Sequence, residues 1–213
     1  MEMILKILPF AVLDDAAQWL AFGLNLAYVV LASRGNAWCW VFGFFGTIFQ
    51  FVVCVDAQLK SDAALQVYYT LSAVYGWYSW QQRDNEGAPL GISRIPLSMH
   101  LKIGLIGAAI AIPLGLYWQS AAFRFEDAFL AVFSIMTTFL TARKVLESWL
   151  YWLIIDVSYA LIYFDRDKYI LGVLSLIYFA FSIRGYFMWR KTLKMRPLSI
   201  NHQNPQKIHK KSI

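Results

Sequence analysis

Charge is what this chain has least of. Asp, Glu, Lys and Arg make up 15% of its residues, against 59% hydrophobic and 17% aromatic residues, and the mean hydropathy is +0.50. A soluble fold of 213 residues would have too little polar material to cover its surface, so lipid covers much of it. Histidine is scarce too. His100, His202 and His209 lie at a linker edge and in the tail, and there is no HExxH, GxSxG or His-rich constellation, so an intramembrane enzyme is not expected. The last apolar span lacks the lysine that a retinal Schiff base requires, and no Walker loop is present for a nucleotide-driven pump. Cys39 and Cys54 have no CxxC spacing and read as core residues. No cofactor or metal is expected.

The formal net charge of +6 does not point to nucleic acid. Seven of the nineteen Lys and Arg lie between Arg190 and Lys211, as expected of the cytoplasmic flank of a last membrane helix. The opening MEMILKILPFAVLDD has an acidic start, Pro9 and no small-residue cleavage site, so it is a poor signal peptide. It reads as an interfacial segment over 1–15.

Seven windows approach the length of about 20 apolar residues that a membrane crossing needs. They are Ala16–Ala32, Asn36–Val55, Asp62–Trp80, His100–Trp118, Asp127–Thr141, Ser148–Phe164 and Tyr169–Trp189. Residues 81–99, with two prolines and two glycines, form a polar linker, and 191–213 form a basic tail. Counted on alternate sides of the spans, one side holds Arg34, Arg83, Arg94, Lys102, Arg143, Lys144 and the tail. The other holds Lys6, Lys60, Arg124, Arg166 and Lys168. The positive-inside rule then places the N-terminus outside and the C-terminus in the cytoplasm of a bacterial inner membrane.

Sliding the chain over itself by 109 residues brings Leu31 onto Leu140, Arg34 onto Arg143, Trp40 onto Trp149 and Asp56 onto Asp165. It also brings Tyr69 onto Tyr178, Gly76 onto Gly185 and Trp80 onto Trp189. The chain thus reads as two three-helix repeats, 16–80 and 121–190, with a connecting helix at 100–118 that restores their direction. Parallel repeats of this kind place a substrate near the midplane between them.

Tyr75-Gly-Trp-Tyr-Ser-Trp80, preceded by Lys60-Ser-Asp62 and Leu65-Gln66, together with Thr141-Ala-Arg-Lys144 and Glu147-Ser-Trp149-Leu-Tyr-Trp152-Leu-Ile-Ile-Asp156, resemble the PnuC family of vitamin transporters over roughly Gln18 to Lys191. The resemblance implies an all-α, three-plus-one-plus-three fold related to the SWEET sugar transporters. It also implies facilitated diffusion of nicotinamide riboside, with a cytoplasmic kinase trapping the product. Other branches are associated with thiamine and related vitamins. Nicotinamide riboside carriers are expected to read W-x-x-W-x-x-x-N on the sixth helix, whereas this chain has Asp156 at the last position. A homo-oligomer is compatible with the resemblance. A receptor or non-transporting scaffold is the different class, against which the polar stripe of Trp149, Trp152 and Asp156 argues.

That stripe follows a helical spacing of i, i+3, i+7. Asp156 falls about 12 Å into the span, near the middle of a hydrocarbon layer of roughly 30 Å. A carboxylate there is a functional residue by default, and it suits a cationic vitamin ring lying against Trp152. Trp149 is open to two readings, cavity wall or interfacial belt, and Trp77 and Trp80 read as belt. Gln66 and Tyr69 share a face of the third helix with Ala73 and Gly76. Thr47 and Gln50 occupy the repeat positions of Asp156 and Tyr159, and Asn25 joins them from the first helix. Helix packing alone could also employ these side chains. Gly76 and Gly185 are hinges or points of close packing, and Arg184 is expected to snorkel to the headgroups.

Overall fold

The computed structural model describes residues 2–56, 60–83, 89–117, 124–165 and 169–202, and its regular structure is helical. The helices are α1 (Glu2–Ser33), α2 (Cys39–Asp56), α3 (Lys60–Gln81), α4 (Leu97–Tyr117), α5 (Arg124–Ala142), α6 (Ser148–Asp165) and α7 (Tyr169–His202). By length and composition, 4 of them can cross a membrane among the described residues, namely parts of α1, α4, α5 and α7. Helices α1, α2, α3 and α6 carry the amide, hydroxyl and carboxylate groups singled out above. Two ends depart from expectation. Helix α1 runs unbroken from Glu2 through Pro9, ahead of the window that opens at Ala16, and α7 continues to His202 rather than stopping near Trp189.

Helix α2 packs between α1 and α3, and α6 packs between α5 and α7. The two halves meet where α3 lies on α5 and where α7 lies on α1. Exchanging the halves turns the first of these seams into the second, which is the two-fold relation that parallel repeats require. The six helices close into a ring. Helix α4 stands outside it against α5, using a stripe of Ile103, Gly107, Ala111 and Gly115. A Cβ at Gly107 or Gly115 would lie 2.6 Å from the ring of Phe133 or Phe125, so small residues let the two helices approach.

The repeat extends to the turns. Helix α1 ends with Gly35 at φ 71°, where Asn36 N–H donates to Leu31 O and Gly35 N–H to Ala32 O. Helix α5 ends 109 residues later with Lys144 at φ 51°, where Val145 donates to Leu140 O and Lys144 to Thr141 O. Both are Schellman closures, which satisfy the orphan carbonyls of a helix end. A lysine in the left-handed region costs about 1 kcal/mol or more. Its side chain offsets this cost, because Nζ donates to Leu90 O at 3.2 Å and sits 4.6 Å from the Trp80 ring centre.

Four tryptophans follow the same symmetry. Trp40 lies on Gly76 and Trp149 on Gly185, so close that an added Cβ would come within 2.3 and 2.6 Å of the indoles. Trp40 meets Trp80 edge-on at 5.5 Å, and Trp149 meets Trp189 edge-on at 5.3 Å. The halves join through Trp80 and Trp189, whose rings are 5.7 Å apart. Trp80 is 3% exposed, so it is a core residue and not a belt residue. The two glycines serve close packing.

The linker is also more than a spacer. Ser93 N–H donates to Lys144 O at 3.0 Å and Ser93 O accepts from Leu146 N–H at 2.9 Å. Glu147 pairs with Arg94 Nε at 2.7 Å and accepts from Ile95 N–H at 3.3 Å. The carboxylate raises the pKa of the exposed guanidinium, chiefly through the hydrogen bond. His100 on α4 bonds Tyr151 on α6 at 2.8 Å, so residues 89–100 strap the turn between α5 and α6.

Gly76→Ala and Gly185→Ala should each destabilise the protein by about 1–3 kcal/mol through overpacking against indole. Gly23→Ala and Gly104→Ala, where no atom lies within 4 Å of the new methyl, should be neutral or stabilising. Thermal unfolding in detergent separates the two sets, and equal losses in all four would contradict the packing role.

Candidate functional site

Beyond the tryptophan cluster, α6 carries Trp152 one turn further on and Asp156 two turns further on. Trp152 is half-buried, and its Nε1–H donates to Thr141 Oγ1 on α5 at 3.1 Å. Asp156 is 6% exposed and accepts a bond from Ser182 Oγ on α7 at 3.0 Å, with Tyr178 in electrostatic reach. No other protein donor reaches the carboxylate among the described residues.

The first half repeats this placement with neutral chemistry. Thr47 Oγ1 lies 2.8 Å from Thr70 Oγ1 on α3 and bonds back to Phe44 O. From equivalent positions, then, Thr47 ties α2 to α3 through a hydroxyl and Asp156 ties α6 to α7 through a carboxylate, although their partners Thr70 and Ser182 are not themselves equivalent. Gln50 is half-buried with its amide 3.9 Å from Cys54 Sγ. Asn25 packs its amide on Gly46, where a Cβ would sit 2.6 Å from Oδ1. Gln66 is half-buried and gives its backbone carbonyl to Thr70. Tyr69 stands among Tyr28, Tyr68, Tyr163 and Ser134, which joins α1, α3, α5 and α6 around one centre. Arg184 is exposed, and its side chain lies away from this group.

The sequence reading passed over the hydroxyl stripe of α5. Ser134, Thr137, Thr138 and Thr141 are all buried, at spacings i, i+3, i+4 and i+7, which marks one helix face. Thr138 and Thr141 bond back to the carbonyls one turn before them. Ser134 Oγ lies at the Tyr69 hydroxyl, whereas among the described residues Thr137 Oγ1, Ser148 Oγ, Trp40 Nε1 and Trp149 Nε1 have no partner of hydrogen-bonding geometry. Leaving a buried polar group unpaired costs about 1–3 kcal/mol. Such groups therefore ask for a ligand or water. Two clefts lie elsewhere: one of about 450 Å³ lies between α5 and α6 around Phe129 and Leu161, and one of about 210 Å³ between α2 and α3 around Phe51 and Leu71. Neither is lined by Trp149, Trp152, Asp156, Gln66, Tyr69, Gln50 or Asn25.

The family model for the nicotinamide mononucleotide transporter matches residues 15–191, which takes in α2 to α6, most of α1 and α7, and every candidate residue above. The chain belongs to this transporter family. Among family relatives, the nicotinamide riboside transporter PnuC of Escherichia coli is 27% identical over 200 residues, covering 81% of this chain and 84% of that protein. The riboflavin/roseoflavin transporter RibM of Streptomyces davaonensis is 24% identical over 172 residues, covering 78% and 80%. A crystal structure of the vitamin B3 transporter PnuC superposes with a TM-score of 0.69 at 16% identity, covering 91% of this chain and 86% of that one, and shares its fold. The nicotinamide mononucleotide transporter family is one of integral membrane transporters, and this member is an all-α multi-pass example. Trp149, 2% exposed, belongs to the tryptophan core of this member and not to an interfacial belt.

Ser182→Ala takes away the donor that reaches Asp156, and should lower stability by about 1–3 kcal/mol. Ser158→Ala removes a hydroxyl that bonds only its own helix at Ile154 O and should stay within about 0.5 kcal/mol. Paired melting curves measure both; a silent Ser182→Ala would mean that the carboxylate has no need of its donor.

Proposed function

We propose that this chain takes up nicotinamide riboside across the bacterial inner membrane by facilitated diffusion, with a cytoplasmic kinase trapping the product. The observation that carries the reading is Asp156: one buried mid-helix carboxylate with a single protein donor among the described residues, in a bundle that also holds the unpaired buried hydroxyls Thr137 Oγ1 and Ser148 Oγ. A ligand suited to these groups bears a positive ring for the carboxylate and hydroxyls for the unpaired groups. Nicotinamide riboside has both. A phosphorylated nucleotide fits less well, because the candidate site residues include no Lys or Arg to pair with phosphate, and Asp156 would repel it.

The proposed contacts are Trp152 and Asp156 toward the cationic ring, with Gln66, Tyr69, Thr47, Gln50 and Asn25 offering amides and hydroxyls. Trp149 would line the end of the site next to the tryptophan cluster. Facilitated diffusion is favoured by the absence of a Walker loop from the sequence. The distribution of basic residues favours a cytoplasmic C-terminus, and on that orientation the linker and the tryptophan cluster lie at the cytoplasmic end. Thiamine carries a fixed positive charge and suits Asp156 equally, which makes it the comparator; riboflavin is a second one, given the relative.

Proteoliposomes should take up nicotinamide riboside to equilibrium without a proton or sodium gradient, and uptake that vanishes without a gradient would contradict diffusion. Asp156→Asn should weaken thiamine by about tenfold for each 1.4 kcal/mol of lost charge interaction. It should weaken nicotinamide riboside less, or strengthen it, since the change restores the motif expected of such carriers. Calorimetry with both ligands decides, and equal wild-type affinities in the mutant would sink the assignment. A C-terminal reporter active only in the periplasm would overturn the orientation.

A further inference from the structure

The proposed site ends at Trp149 and leaves the tryptophans packed around it, Trp40, Trp80 and Trp189, without a part in binding. Trp40, Trp80, Trp149 and Trp189 are 1–3% exposed and lie at the end of the bundle where α1 and α5 terminate. Thr47 stands two turns along α2 from Trp40, as Asp156 does along α6 from Trp149. A molecule leaving the site along the axis between the halves toward that end meets the cluster first.

Two of the four indoles bond across the halves. Trp80 Nε1–H on α3 donates to Thr141 O at the end of α5 at 3.2 Å, and Trp189 Nε1–H on α7 donates to Ala32 O at the end of α1 at 3.1 Å. The donors are 109 residues apart and so are the acceptors. The other two indole N–H groups, Trp40 and Trp149, are also equivalent, and both are buried without a partner among the described residues. A permanent core would be expected to satisfy its donors. A cluster with a second, open arrangement can leave them for water or a passing ligand.

We infer that these four tryptophans are the gate of the substrate path at the linker end, and that Trp80 and Trp189 latch it through their bonds to the opposite half. The inference rests on the transport reading above. The two latches differ in strength. Lys144 covers the Trp80 ring, while its repeat equivalent near Trp189 is Gly35. The α3–α5 seam also carries Ser79 Oγ–H to Ala142 O and Tyr68 O–H to Ile135 O, both at 2.8 Å. The positions equivalent to Ser79 and Tyr68 are Met188 and Ile177, which have no hydroxyl to donate. The gate therefore opens along the seam between α7 and α1.

Cys39 is a native reporter, a free thiol with 0% exposure next to Trp40. In a Cys54→Ala background its reaction with a small methanethiosulfonate should be slow, yet faster than global unfolding allows and insensitive to low denaturant, as a local opening requires. Trp189→Phe keeps the ring and removes the N–H, and should speed labelling by about two- to tenfold, the factor carried by one hydrogen bond. Trp80→Phe should speed it less, and neither variant should move the affinity for nicotinamide riboside more than about twofold, since neither residue lines the proposed site. Labelling of Cys39 only through global unfolding overturns the gate without any variant. Equal, unaccelerated labelling in both variants overturns the latch. Failure of nicotinamide riboside to bind would refute the transport reading instead, and the labelling arms do not depend on it.

Discussion

The contact between an indole and a glycine, made once in each half, is the constraint on which the rest of the structure hangs. Between helices in lipid there is little hydrophobic drive, so association depends on close packing and on polar bonds. Gly76 and Gly185 remove the side chain that would hold α2 from α3 and α6 from α7, and Trp40 and Trp149 fill the space. That approach brings Trp80 and Trp189 to the seam between the halves. Their N–H groups then reach Thr141 O and Ala32 O, carbonyls already engaged in the Schellman closures of α5 and α1. Each carbonyl oxygen has two lone pairs and uses both. Helix ending, helix pairing and the joining of the halves are thus settled by one set of atoms.

The departures from symmetry are as informative. Where the first half has Gly35, the second has Lys144, and the difference recruits the linker, since Lys144 holds Leu90 O while Glu147 holds Arg94 and Ile95. The position equivalent to Glu147 is Trp38, which is 58% exposed and so leaves the matching turn uncovered. Helix α4 adds to the imbalance by backing the second half, packing on α5 and reaching Tyr151 of α6 through His100. One half is braced and the other is free, which suits a carrier that moves one half against the other. The same asymmetry marks the proposed site, where Thr47 faces Thr70 in one half and Asp156 faces Ser182 in the other. A ring of equal halves would bind a symmetric ligand, whereas a single carboxylate gives an asymmetric one its orientation.

Much of this was legible in the sequence, and the failures have physical causes. The seven helices and the 109-residue repeat were read directly, because apolar length and paired Trp and Gly positions are properties of side chains. The strap was not legible, since Ser93 engages Lys144 and Leu146 through backbone groups that leave no mark in residue type. Trp80 was misread as belt because tryptophan near a span's end is often interfacial. The countersign was Gly76 one turn earlier, the small residue that lets Trp40 close over α3. The hydroxyl face of Ser134, Thr137, Thr138 and Thr141 had the spacing to be found and was missed among apolar neighbours. The first span was started at Ala16 because Pro9 interrupts the apolar stretch before it, whereas helix α1 runs through Pro9 from Glu2.

An axis of symmetry along the membrane normal has a further consequence. Inverted repeats make the two ends of a transporter alike, while parallel repeats leave them to be built from different residues. Here the linker end carries the indole cluster and both Schellman turns. The balance between its closed and open forms depends on what that cluster gains and loses. Two cross-half bonds at about 0.5–1.5 kcal/mol each favour closure. Unpaired buried donors, costing about 1–3 kcal/mol apiece, oppose it. The opposing contributions are of similar size, so neither form need lie far below the other. Reversing a two-state population from 1:99 to 99:1 takes about 5.5 kcal/mol of differential affinity. A smaller bias needs less, and a single charged contact at Asp156 with a few hydroxyl bonds is of that order. On the proposed reading such a carrier needs no ion gradient to turn over, because the ligand's own concentration difference drives net passage while its contacts bias the two arrangements only modestly.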